Sequence, residues 1–223
     1  MHYTMGGIET DIWGKTRIDG VYAAGETACV SVHGANRLGG NSLLETIVFG
    51  SRSAQHAVDY VKANGAAKPS AQTLKAEQDR IGDMLGRQEG ERAPQIRKRL
   101  NATMSENAFI FRNEAQLRKA CEDVKEVREA IKHVTVMDKS KTFNTDLVGT
   151  LETEFLIEAA QRVVHGALAR TESRGAQART DYPERDDEQW LVHTLVWRTD
   201  DDPRLDYSRK VTFTKWQPEV RKY

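Results

Sequence analysis

The sequence predicts an α+β fold on three observations. A glycine-rich loop stands between a short apolar strand and an amphipathic helix, the middle carries successive charged helical patterns, and apolar residues in the tail alternate as in strands. The 223 residues divide accordingly into 1–65, the C-terminal part of an α/β domain, 66–175, an antiparallel helical bundle, and 176–223, a small β-containing tail.

In the first segment Asp19-Gly20 marks a turn, residues 21–24 a short apolar strand, and Gly25-Glu26 its C-terminal end. Residues 30–40 follow as the glycine loop. Ser42-Leu43-Leu44-Glu45 then reads as a capping box, with the Ser42 hydroxyl accepting from an N3 amide and Glu45 reaching back. Leu43, Leu44, Ile47, Val48, Ala54, Val58 and Val61 recur at helical spacing, and Asn64-Gly65 supplies a left-handed stop.

Small residues and proline at 66–70 make a hinge. Helical patterns are expected over 72–85 and 94–111, and a third opens at Asn113-Glu-Ala-Gln116 with Leu117, Cys121, Val124, Ile131 and Val134 as its apolar stripe. A fourth is expected from Leu147 to about Arg170, with Leu147, Leu151, Phe155, Ala159 and Val163 facing inward. In the tail, 190–198 and 210–216 read as strands separated by the turn at 200–203.

The composition narrows the function. Thirty-three Lys and Arg balance 33 Asp and Glu, which excludes nucleic acid as the main partner because phosphate binding needs a basic field. No apolar run is long enough to span a membrane, and the first residues lack the regions of a signal peptide. Cys29 and Cys121 are too few for a disulfide framework and lack zinc-finger spacing, which suits a reducing compartment. The opening residues, including His2, Gly6 and Gly7, read as the middle of a structure rather than as a free terminus.

The chemistry-bearing stretch is 33–45, HGANRLGGNSLLE. Its glycines permit close backbone approach to a ligand and lead into a helix N-terminus, where an anion or dipole is stabilised. Gly40-Asn41 stands where a P-loop needs Lys-Ser/Thr, so that motif is rejected. Arg37 could fork a carboxylate or be an ordinary surface arginine; His33 adjoins it. Glu26 could accept from ribose or ribityl hydroxyls, or simply be solvated. His56, His133 and His165 have no partners at ligand spacing, so no metal is expected. The basic cluster Arg92, Arg97, Lys98 and Arg99 reads as a solvated helix face.

Taken in order, HYTMGGI, VYAAGETACVSVHGANRLGGNSLLE, ESRGA, ERDDEQWLVHTLVW and KWQPEVRKY resemble the C-terminal part of the flavoprotein subunit of succinate dehydrogenase and fumarate reductase. The resemblance implies FAD as cofactor and oxidation of succinate to fumarate, with electrons passed to an iron–sulfur subunit and on to quinone through membrane-anchor subunits. It implies a peripheral location on the cytoplasmic face of the inner (plasma) membrane, or its mitochondrial-matrix equivalent. By the same resemblance His2 and Arg37 bind the dicarboxylate, Glu26 hydrogen-bonds FAD, and Ser42 with Leu43 lies at the flavin ring. The proton-transfer arginine, the flavin-attachment histidine and the G-x-G-x-x-G fingerprint belong to a part of the family protein ahead of these residues. No catalytic acid–base is therefore expected here, the chain alone should be inactive, and its length reads as a truncation of the family protein. Gln177 stands where the family commonly has histidine. The alternatives are the reverse reaction, fumarate reduction, toward which HYTMGGIETD leans; an L-aspartate oxidase-like fragment; and a non-catalytic helical interaction module.

Overall fold

The computed structural model describes residues 3–219 and bears out the α+β class. The chain forms two compact units, the first of residues up to Ile81 with Arg174–Gln177, the second of Gly82–Ser173 and the rest of the tail. The 66–70 linker is exposed and irregular, but the division between units falls further on, inside a helix.

In the first unit β1 (Ile8–Glu9) pairs in parallel with β2 (Ala28–Cys29). The two chains approach closely because Gly7 has no side chain: a Cβ there would lie 2.6 Å from the Thr27 carbonyl oxygen. Between the strands the chain turns at Gly20, with the Val21 N–H donating to Ile18 O at 3.1 Å, as the sequence predicts. The strand expected at 21–24 is displaced. Only Tyr22 bridges, to Lys15, and Gly25–Thr27 winds into a 3-10 turn because Gly25 leaves the extended region at φ +76°; pairing resumes at β2.

Helix α1 (Gly39–Asn64) begins a turn earlier than predicted, with Leu38 at its N-cap and no side-chain cap. Ser42 therefore lies inside the first turn, and the capping box expected of Ser42 and Glu45 does not form. The helix ends as predicted at Gly65, φ +74°, whose N–H donates to Val61 O at 2.8 Å. Its apolar stripe is real but uncovered, since Leu43, Leu44, Ile47, Val48, Val58 and Val61 are all exposed. The buried positions are polar: Ser42, Glu45 and Ser53. Helix α2 (Ala71–Gly86) follows the linker.

In the second unit α3 (Ala93–Asn107), α4 (Glu114–Ile131) and α5 (Thr145–Ala169) pack around Ile96, Leu100, Leu117, Val124, Ile157 and Val164, none more than 3% exposed. Helix α3 stops short of the predicted Phe111, because Ala108 leaves the helical region at φ −134° and Phe111–Arg112 forms β3, parallel to β4 (Ala178–Arg179). Helix α4 begins where predicted and ends at Ile131, so Val134 of the expected stripe lies just beyond it. Asn113 Oδ1 accepts from Gln116 N at 3.0 Å, and Leu117, Val124, Ile131 and Val134 are buried. Helix α5 is rotated from its prediction: Phe155 is 69% exposed, and Thr150, Thr153, Ile157, Ala160, Val164 and Ala167 point inward. The apolar residues of this helix are spread around it with little preference for one face, so periodicity does not choose one. The buried Thr150 and Thr153 satisfy their hydroxyls by donating to Asp146 O and Gly149 O at 2.8 and 2.7 Å.

The tail continues through α6 (Asp187–Trp190) into a hairpin of β5 (Leu195–Trp197) and β6 (Arg204–Asp206). The turn is where the sequence predicts it, but the first strand is shortened to Leu195–Trp197 because Asp187–Trp190 is helical, and the returning strand is Arg204–Asp206 rather than 210–216, pairing directly after the loop 198–203. Arg128 of α4 holds that turn, donating to Asp200 O at 2.8 Å and Thr199 O at 3.2 Å while its Nε meets Glu158 at 3.1 Å.

Candidate functional site

The loop that enters α1 turns at Ser31, φ +73°, and Gly34, φ +60°, and delivers Arg37 to the interior of the first unit, 5% exposed. Its backbone N–H donates to Met5 Sδ at 2.9 Å. Its guanidinium is fixed twice from α1: Nε donates to Ser42 Oγ at 2.9 Å, and Nη2 meets Glu45 Oε2 at 2.8 Å. His33 Nε2 lies 3.0 Å from that same oxygen. A buried cation without an anion would be strongly destabilising, so the 3%-exposed Glu45 is what permits Arg37 to be there. Among the described residues Glu45 Oε1 and His33 Nδ1 are buried without a hydrogen-bond partner. A small cleft bounded by residues 4–6, 28–34 and Arg37 lies alongside.

A second piece of chain supports the loop from behind. Residues Arg174–Gln177 close on themselves, Arg174 N donating to Gln177 O at 2.8 Å, and Ala176 N donates to Ala35 O at 2.9 Å. Gly175, φ +58°, fits against Ala35 with no room for a side chain, since a Cβ would lie 2.5 Å from the carbonyl oxygen. Residues 174–177 are thus a backbone clasp on the arginine loop, and Gln177 takes part in it through its main chain.

Of the residues singled out in the sequence, Arg37 and Ser42 are brought into direct contact. Glu26 is exposed on the 3-10 turn, its Oε1 accepting from Thr4 N at 2.7 Å. Leu43 is 66% exposed, on the uncovered side of α1. His2 lies outside the described residues. Glu45 was read only as a capping residue; its position eight residues after Arg37 and three after Ser42, on one helix face with the latter, is the signal for its actual place.

A model of the FAD binding domain matches residues 1–43, and a model described as the fumarate reductase flavoprotein C-terminus matches residues 97–223, which takes in α4, α5 and the tail. The chain belongs to the fumarate reductase flavoprotein C-terminal family. It is 44% identical over 231 residues to the fumarate reductase flavoprotein subunit of Mycobacterium tuberculosis, covering 100% of this chain and 40% of that protein. To the succinate dehydrogenase flavoprotein subunit of Rickettsia bellii it is 39% identical over 234 residues, covering 99% and 39%. The FrdA chain of Escherichia coli quinol fumarate reductase superposes with a TM-score of 0.90 at 38% identity, over 98% of this chain and 38% of that one. The chain thus spans about 40% of the length of the curated relatives it matches.

Proposed function

We propose that this chain is the C-terminal portion of a flavoprotein subunit that oxidises succinate to fumarate with FAD, passing electrons to an iron–sulfur subunit and on to quinone. The observation that carries the reading is Arg37: a buried guanidinium fixed at Nε and Nη2, beside a cleft, in a segment matched by an FAD binding domain.

The residues present fit the cofactor. The N-terminus of α1 has neither a side-chain cap nor an acidic residue in its first turn, and a Cβ added at Gly40 would meet nothing within 4 Å. The amides there are available to an electron-rich acceptor, and the helix dipole favours negative charge at that end. Ser42 and Leu43 would flank the flavin ring and Glu26 would accept from its hydroxyls. When bound, FAD would supply the acceptor for a hydride from one of the two central carbons of succinate. The part this chain plays is to hold the dicarboxylate: Arg37 pairs with one carboxylate, and His2 binds the same substrate. The proton on the neighbouring carbon leaves to a base outside these residues.

The reverse direction, fumarate reduction, is the second reading, favoured by the higher identity to the M. tuberculosis fumarate reductase subunit, 44% against 39% for the R. bellii dehydrogenase subunit. In either direction the protein is placed at the cytoplasmic face of a membrane through its iron–sulfur partner and, indirectly, anchor subunits. Among the described residues no helix is long and apolar enough to cross a membrane.

The test uses the complete subunit carrying this chain. Flavin-loaded protein should reduce a dye with succinate and reoxidise reduced viologen with fumarate, the faster reaction giving the direction, and Arg37→Lys should depress both. A flavin-loaded subunit inert to both dicarboxylates would sink the proposal.

A further inference from the structure

We propose that Glu45 is the positioning residue of the Arg37 site, setting both the direction of the guanidinium and the net charge that a dicarboxylate meets; this rests on the dicarboxylate reading above. Glu45 Oε2 serves Arg37 Nη2 at 2.8 Å and His33 Nε2 at 3.0 Å, and Ser42 Oγ takes Arg37 Nε at 2.9 Å. A planar guanidinium held at two of its N–H directions has no rotation left. Its other terminal nitrogen, Nη1, is engaged by neither of these two contacts and is the edge left for a ligand carboxylate.

Ser42 and Glu45 stand one turn apart on α1, so hydroxyl and carboxylate form one rigid template. The carboxylate is not there for its own comfort. Its second oxygen, Oε1, is buried without a partner, an arrangement that costs stability and persists where the first oxygen is needed. His33 fixes that first oxygen from the other side. The second consequence is electrostatic. Arg37 alone would offer a full positive charge to a dianion, whereas paired with Glu45 it offers direction with little net charge, which keeps the bound substrate from sinking into an over-stabilised ground state.

Two substitutions in the complete, flavin-loaded subunit separate these effects. Glu45→Gln keeps the shape and an acceptor but removes the charge; the Kd for succinate, read from the flavin spectrum, should fall about five-fold, with kcat falling as well. Glu45→Asp keeps the charge but withdraws it by one methylene, and Kd should rise about ten-fold as Arg37 loses its direction. Succinate should also raise the Tm of the Gln variant more than that of the parent, because the ligand carboxylate then pairs the cation left single. Equal weakening by both substitutions, as a packing residue would give, or Kd values within two-fold of the parent for both would overturn the proposal. Should the Gln variant lose its flavin, the cycle of Glu45→Asp with Arg37→Lys decides: non-additive effects on Kd support the coupling and additive ones overturn it. A parent subunit whose flavin does not respond to succinate or fumarate fails the dicarboxylate reading itself, and this inference with it; a responsive parent whose variants keep their flavin but do not respond fails the inference alone.

Discussion

Gly175 lies against Ala35 so closely that a Cβ on the glycine would sit 2.5 Å from the alanine's carbonyl oxygen. Two segments far apart in sequence are locked there, backbone to backbone, two residues before Arg37. Gly175→Ala adds both that clash and the strain of a left-handed backbone at φ +58°. On the proposed function it should displace the arginine loop and weaken dicarboxylate binding by the complete subunit about ten-fold or more. Parent-like binding in a flavin-loaded Gly175→Ala subunit would mean that the clasp does not position the loop.

Acid should loosen the helical unit through Asp181. Arg179, whose side chain is 1% exposed, donates Nη1 to the carbonyls of Ala167, Leu168 and Arg170 at the end of α5, and pairs bidentately with Asp181 at 2.8 Å. Asp181 Oδ2 also accepts the Glu114 N–H at the start of α4. Hydrogen bonding by Arg179 holds the Asp181 carboxyl down at about 2, below its ordinary 3.8. A depressed folded-state value means the contribution is complete above the ordinary value and is lost as pH falls from there through about 2. Asp181→Asn should cost about 1–3 kcal/mol in urea unfolding at pH 7 and progressively less at lower pH. A difference from the parent that stays constant from pH 7 to pH 2.5 would refute this assignment.

The helices were legible in the sequence because local patterns decide them: Asn113 and Gly65 end or begin helices where capping chemistry says they should. The inward face of α5 was not, since a helix whose apolar residues are spread around it takes its orientation from its neighbours. Nor was the returning strand of the hairpin. At the site, the glycine loop and Arg37 stood out from their residue types, and the family resemblance gave them roles. Glu45 was hidden by a local motif: Ser-x-x-Glu is a good capping box, and only the tertiary approach of Arg37 and His33 turns both side chains to another purpose.

Cys121 should be chemically quiet. Half-buried on α4 and near the negative charge of Asp202, its thiol is pushed up to about 11, chiefly by burial. At pH 8 the folded protein should alkylate there on the order of a hundredfold more slowly than a free thiol, and reach the free rate in denaturant. Mass spectrometry of peptides containing Cys121 after timed iodoacetamide treatment reads this directly. Equal labelling in the folded and denatured protein would contradict the assigned burial.

The apolar stripe of α1 is uncovered in this chain. Leu44 and Ile47 are 61% and 62% exposed although their spacing is that of a core-facing helix. Fully burying a side chain of this size is worth about 1.5–3 kcal/mol, so a covering segment would draw substantial stability from the stripe. In the isolated chain, Leu44→Glu with Ile47→Lys should therefore lower binding of an apolar dye and leave helix content unchanged. In the complete subunit, where the remaining 60% or so of the relatives' length is available to cover α1, the same pair should lower Tm and flavin retention. If the complete subunit tolerated both charges with parent-like Tm and flavin content, α1 would be a solvated helix there too. The apolar period would then have no packing role.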